Sequence, residues 1–244
     1  MTGTKVRHRD LLQEIIARSG KPTQHTFVDG YLGNSHPRYP ISTPQLRIVA
    51  RSWLRANPLR PAEFLALLTS LIQAPTSTEK TTAGILLDYA SKDQLNFDPK
   101  IYDRWLHHLT GWAEVDALCY GHFKIDRVLE TWSAWKKLVL QLNKSKNINK
   151  RRASLVLLCK PLTRTGDERI QKLAFQLVDQ LKSEKEILIT KAISWILRSM
   201  VKLHQKPLWA YLDKNKTSLP AIALRETLTK LKTGRKTGLK VGKD

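Results

Sequence analysis

Residues 170–200 read IQKLAFQLVDQLKSEKEILITKAISWILRSM. Ile170, Leu173, Ala174, Leu177, Val178 and Leu181 fall at i, i+3, i+4, i+7, i+8 and i+11, the spacing that lays one apolar stripe along an α-helix. Ile189, Ala192, Ile193, Ile196, Leu197 and Met200 repeat the pattern, and Phe64, Leu67, Leu68, Leu71 and Ile72 carry it earlier in the chain. Period-2 alternation and Asn-Gly hairpin signals are missing, so strands are expected to be minor. Pro58, Pro61, Pro75, Pro99, Gly111, Pro161 with Gly166, Pro207 and Pro220 punctuate the chain into helix-sized pieces. Many short helices with short breaks predict an all-α solenoid of stacked helix pairs with degenerate repeats, presenting a concave face. A compact all-α bundle with a scattered basic surface is the alternative.

The composition supplies the partner class. The 244 residues hold 42 Lys+Arg against 21 Asp+Glu, a formal net charge of +21. At 41% hydrophobic residues the chain can bury a core, so it is not a disordered basic tail. A charge of this size asks for a polyanion, nucleic acid first and anionic lipid second. No apolar run approaches the roughly 20 residues of a membrane helix. Nor does any helix combine a broad apolar face with the basic face of an interfacial anchor. Met1–Asp10 shows no secretory pattern, and Cys119 and Cys159 alone make no disulfide framework, so a reducing, cytoplasmic setting is expected. Lys136–Arg152 holds seven basic residues and no acid, and Arg225–Asp244 holds seven against two acids. The second cluster ends in TGRKTGLKVGKD, which reads as a mobile basic tail. The expected organisation is one helical-repeat domain over residues 1–228 and a tail over 229–244.

Three segments carry chemistry. In ILITKAISWILRSM, Trp195 lies off the apolar stripe, with Lys191, Arg198 and Lys202 as helical neighbours. An indole among cations suits an aromatic surface pressed against sugar or base beside phosphate. It equally suits a Trp half-buried against the next helix under Lys and Arg stems. In TGWAEVDAL, Trp112 and Asp116 are i and i+4 and share one helix face. An indole with a carboxylate can surround a developing cation, although a carboxylate early in a helix is ordinary dipole complementation. In NINKRRASLVLL, Asn147 or Asn149 can cap a helix whose first turn then holds Lys150, Arg151 and Arg152. Cations there oppose the helix dipole, and the site becomes favourable once phosphate is present. The histidines, including His107, His108 and His122, show no HExxH-like spacing, so no metal is expected. No GxxxxGK[ST] or GxGxxG loop occurs, and no cofactor is expected.

At these segments the chain resembles the AlkD-type DNA glycosylases, the HEAT-like DNA alkylation repair family. The match rests on Trp112-Ala-Glu-Val-Asp116, Arg151-Arg152-Ala153, Lys191-Ala-Ile-Ser-Trp195-Ile-Leu-Arg198 and an earlier Ser42-Thr43-Pro44-Gln45-Leu46-Arg47 turn, and it spans about Tyr31 to Leu228. The resemblance implies a HEAT-like solenoid with a basic concave groove for duplex DNA. It also implies excision of cationic N-alkylated purines such as 3-methyladenine and 7-methylguanine. It places the catalytic Asp on Asp116, the groove tryptophans on Trp112 and Trp195, and the phosphate-binding Arg on Arg152, with Arg151 as the other register. Lys150, Lys191, Arg198 and Arg47 join the expected DNA contacts. Ala113 and Glu114 depart from the family pattern, and the approach to Arg152 is more basic. The implied chemistry stabilises an oxocarbenium-like sugar without drawing the base into a pocket. The implied enzyme is a monomer working on nucleoid DNA in a bacterial-type cell. The rival readings are a non-catalytic, structure-specific DNA-binding protein of the same fold and a helical scaffold for an acidic protein or RNA.

Overall fold

The computed structural model describes residues 3–23, 33–121 and 125–237, and thirteen α-helices occupy most of them. Extended pairing among the described residues is limited to a bridge between Thr23 and Arg38. The chain divides into two compact units, Met1–His122 and Phe123–Asp244.

In the first unit the helices are α1 (Gly3–Ser19), α2 (Thr43–Ala56), α3 (Pro61–Ile72), α4 (Ser77–Tyr89), the short α5 (Ile101–Trp105) and α6 (Gly111–Cys119). Local chemistry sets their starts. Ser42 and Gln45 form a reciprocal capping box ahead of α2, and Thr76 and Glu79 form another ahead of α4. Pro61 occupies the first turn of α3, where its missing N–H costs nothing. The contacts define two layers, with α1 against α3 in one and α2, α4 and α6 side by side in the other. Phe64, Leu67, Leu68, Leu71 and Ile72, the stripe expected on α3, are all fully buried between them. Helix α4 is enclosed by α2, α3 and α6, so even its polar Ser77, Thr78, Glu79, Lys80 and Thr82 are buried. Glu79 meets His8 of α1 at 2.9 Å, and the Lys80 ammonium donates to Ile72 O at 2.7 Å. These partners make the burial tolerable.

The second unit holds α7 (Ile125–Glu130), α8 (Trp132–Asn143), α9 (Ile148–Leu162), α10 (Glu168–Leu181), α11 (Ile187–Ser199), α12 (Gln205–Asn215) and α13 (Ala221–Thr233). Here α9 packs on α11 and α11 on α13, while α8 and α10 form the opposing layer. Pairing every second helix within a layer is the signature of a helical repeat. The apolar stripes of α10 and α11 are buried as the spacing predicts. Asn147 is the residue that caps α9, accepting from the Asn149 and Lys150 amides.

Three local expectations need correction. Pro161 sits inside the last turn of α9 and does not end the helix; the break follows two residues later. Pro207 lies in the first turn of α12, and the break precedes it at 201–204. Lys202 falls beyond the end of α11, so it is not a helical neighbour of Trp195. Helix α13 runs through Thr233 and closes on Gly234 at φ 72, a left-handed cap that glycine adopts without strain. The tail reading for 238–244, and His122, lie outside the described residues. Among the described residues no helix is long and apolar enough to cross a membrane.

Candidate functional site

The residues singled out by sequence sit on one layer in each unit: Arg47 on α2 and Trp112 and Asp116 on α6 in the first, Lys150, Arg151 and Arg152 on α9 and Lys191, Trp195 and Arg198 on α11 in the second.

In the first unit, α6 starts at Gly111 and lifts Trp112 and Asp116 onto consecutive turns. Both are half-buried, and both line a cleft of about 350 Å³. The rest of the lining comes from the segment 34–41 and from α2 and α4, with Arg38, Tyr39, Arg47, Ser77 and Thr78 among it, and from Tyr120 just past the end of α6. The segment is stitched to the first turn of α4. Ser77 N donates to Pro37 O at 2.8 Å, Tyr39 N donates to Thr78 Oγ1 at 2.9 Å, and Asn34 Nδ2 donates to Ser77 Oγ at 2.5 Å. Arg47 is exposed and pairs with Asp88 at 2.7 Å, a hydrogen bond that pushes its guanidinium further up its already basic range. The cleft therefore gathers one carboxylate, two guanidinium groups and the rings of Tyr39, Trp112 and Tyr120. Such a surface can hold phosphate on its cationic side and stabilise positive charge on its carboxylate and aromatic side.

In the second unit, the cations have internal duties that sequence did not disclose. Arg152 is 4% exposed and donates from Nη1 to Leu188 O at 2.6 Å, tying α9 to the start of α11. Arg151 donates to Ser145 O and Lys146 O, both at 2.9 Å, and pairs with Glu184 at 2.9 Å, so it organises the turn before α9. Lys150 is half-buried on the same first turn. Trp195 is half-buried on α11. Arg198 donates from Nε to Ser194 Oγ at 3.2 Å and lies 3.4 Å from Glu226 of α13, which also accepts from Ser194 Oγ at 2.6 Å. Burial lowers the Arg198 guanidinium below the usual arginine range, and Glu226 opposes that shift. The indole thus stands beside an ion-paired arginine and a half-buried Lys191, not among three solvent-facing cations.

Sequence reasoning brought Trp112 and Asp116 together because they share a helix. It missed Asn34, Arg38 and Tyr39, which no local spacing joins to them, and Tyr120, which follows Asp116 by four residues. The Thr110–Glu114 pair offered a faint signal, because a carboxylate near a helix start can reach back to the cap.

With that geometry in hand, the comparisons with known proteins are specific. A family model described as "DNA alkylation repair enzyme" matches residues 12–231. A solved structure described as a predicted DNA alkylation repair enzyme from Enterococcus faecalis superposes with a TM-score of 0.67. It is 17% identical and covers 84% of this chain and 93% of its own, a likeness of fold. No curated protein matches the sequence significantly.

Proposed function

Because the chain belongs to the DNA alkylation repair enzyme family, we propose that it is a monofunctional DNA glycosylase that removes cationic N-alkylated purines, of the 3-methyladenine and 7-methylguanine type, from duplex DNA. The observation that carries this reading is the placement of Trp112 and Asp116 on consecutive turns of α6, lining one cleft with Arg38 and Arg47.

A purine alkylated on a ring nitrogen already bears positive charge. Its glycosidic bond is weak and needs no general acid. As the C1′–N bond breaks, its electron pair neutralises the departing base, and positive charge develops on the sugar. The Asp116 carboxylate stabilises that charge, and water adds to C1′ with its proton passing to Asp116 or to solvent. The Trp112 face adds cation stabilisation and excludes bulk water. Arg38 and Arg47 hold flanking phosphate. Trp195 and Lys191 contact the duplex through the second unit. Selectivity then comes from the lability and charge of the lesion, with the base left outside any protein pocket. The enzyme works as a monomer on nucleoid DNA.

The test is release of 7-methylguanine from alkylated duplex by the wild type and by Asp116→Asn. A loss of at least about tenfold, equivalent to about 1.4 kcal/mol in the barrier, is expected. Equal rates remove the catalytic role of Asp116. Tight duplex binding with no release by the wild type assigns the chain to non-catalytic DNA recognition instead.

A further inference from the structure

Glu114 is the residue of α6 that the mechanism leaves unused, and its setting is unusual. It lies two residues from both Trp112 and Asp116. At about 100° per residue it therefore points to the side of α6 away from the edge those two share. Its side chain is 0% exposed. A carboxylate with that burial is retained only where partners compensate its lost hydration. Two partners bond to it directly. The Thr110 amide donates to Oε2 at 2.9 Å, and His36 Nδ1 lies 3.0 Å from Oε1. A carboxylate oxygen accepts, so the tautomer of His36 that suits this contact is the one with its proton on Nδ1. Lys80 of α4 is also electrostatically coupled to it: burial lowers the ammonium pKa, and Glu114 and Glu79 oppose the shift.

His36 connects this anchor to the far wall of the cleft. Its backbone amide donates to Asn34 Oδ1 at 2.9 Å, Asn34 donates on to Ser77, and Thr110 Oγ1 lies 3.1 Å from the same imidazole nitrogen. The segment that supplies Asn34, Arg38 and Tyr39 to the cleft is thus held by α4 on one side and by α6 on the other. The α4 contacts mix backbone and side-chain atoms: Ser77 N to Pro37 O, Tyr39 N to Thr78 Oγ1, and Asn34 Nδ2 to Ser77 Oγ. On the α6 side, Glu114 is the partner from within the helix, through His36, and the cap residue Thr110 adds contacts from its hydroxyl to His36 Nδ1 at 3.1 Å, Ser35 Oγ at 3.3 Å and Asn34 Oδ1 at 3.5 Å.

We propose that Glu114 and His36 form a positioning latch, which sets the spacing between the wall carrying Arg38 and Tyr39 and the helix carrying Trp112 and Asp116. The catalytic consequence rests on the glycosylase reading; the latch itself does not. Neither residue touches the reacting atoms. Their effect is on how the cleft presents Asp116 to a sugar held by phosphate contacts.

Two readouts on the full chain separate these layers. The first is amide hydrogen exchange in wild type, His36→Ala and Glu114→Gln. Exchange should rise at 34–39 and in the first turn of α6 and stay unchanged in α3, because the latch is local. The second is single-turnover 7-methylguanine release at saturating protein, with duplex affinity measured beside it. His36→Ala should lose about tenfold to a hundredfold in rate, the cost of misplacing a catalytic group by about 1 Å, with affinity held within about twofold. His36→Asn, whose amide nitrogen can replace Nδ1 as donor, should recover most of that loss. The double variant should lose less than the two single losses combined, because both changes act on the same contact. Unchanged exchange in His36→Ala overturns the latch. Raised exchange with full activity overturns its positioning role. If the wild type releases no purine, the glycosylase reading falls, while exchange still decides the latch.

Discussion

Gly84 is where the structure makes its sharpest demand on a single atom. It lies on α4 where α6 crosses, and a Cβ placed on it would stand 2.0 Å from Ala117 O and 2.5 Å from Ala117 C. Ordinary contact begins near 3.4 Å, so Gly84→Ala requires α6 to retreat by 3.4 − 2.0 = 1.4 Å or α4 to shift by as much. The clash is with backbone, so no rotamer change relieves it. Overpacking of this kind costs up to about 3 kcal/mol, and the helix propensity gained on replacing Gly by Ala returns at most about 1 kcal/mol. A net loss of about 2 kcal/mol follows, or about 8 °C in the unfolding midpoint of the first unit at about 4 °C per kcal/mol. Ala117 is the neighbour of Asp116, so the same displacement moves the carboxylate. A shift of about 1 Å at a catalytic group costs about a hundredfold in rate. Thermal unfolding and single-turnover base release on Gly84→Ala measure the two effects. Gly166→Ala, where a Cβ would meet nothing within 4 Å, serves as the control and should leave both unchanged. A Gly84→Ala protein as stable as wild type refutes the close crossing. One that is destabilised but fully active refutes the dependence of activity on where α6 holds Asp116.

Two further outcomes are expected. Duplex affinity should fall steeply with salt: neutralising roughly six phosphates gives a slope of log K against log[salt] near −5, measured by titrations over a range of ionic strength, and a slope near zero removes the electrostatic interface. His204 is buried, and its Nε2–H donates to Thr165 O at 3.0 Å; burial holds its pKa below the ordinary 6.5, against the opposing effect of that bond. As pH falls past 6.5 the unfolded chain takes the proton first, so stability is full above that value and declines below it. Thermal unfolding between about pH 7.5 and about pH 5.5 should show the decline in wild type and a flatter profile in His204→Gln, which keeps a donor without a titrating ring.

The helices were legible because burial here is periodic. Each residue of the stripes on α3, α10 and α11 faces a neighbouring helix, and the spacing of apolar residues records that face directly. Helix α4 was not legible in this way. STEKTT reads as a solvated first turn, yet its residues are enclosed because three helices surround α4, and the partners that permit this lie outside the segment. Pro161 misled for the opposite reason: in a last turn the amide that proline lacks breaks only one bond, and the helix absorbs it. Within the candidate site, the Trp112–Asp116 pair could be read because a helix turns four residues of separation into adjacency. Much of the remaining lining, Arg38, Tyr39 and Arg47 among it, comes from residues far away in sequence, and only tertiary structure makes them neighbours.

Charge carries a related lesson about what a count can say. The excess of +21 is a property of the whole chain and bears on long-range attraction, which depends little on where each cation sits. Specific phosphate contact is different, because it needs donors aimed at the ligand. Arg151, Arg152 and Arg198 read alike in sequence as basic residues near a helix start or beside an indole. In the structure, Arg152 ties α9 to α11, Arg151 braces a turn against Glu184, and Arg198 closes the α11–α13 seam onto Glu226. Replacing any of them would perturb the framework together with the surface, so loss of binding in such a variant would not by itself identify a phosphate contact. Arg38 and Arg47 line the cleft that also holds Asp116 and Trp112, and Arg47 is exposed. The first unit is therefore where an exposed cation, itself paired with Asp88 at 2.7 Å, lies in the same cleft as the candidate site.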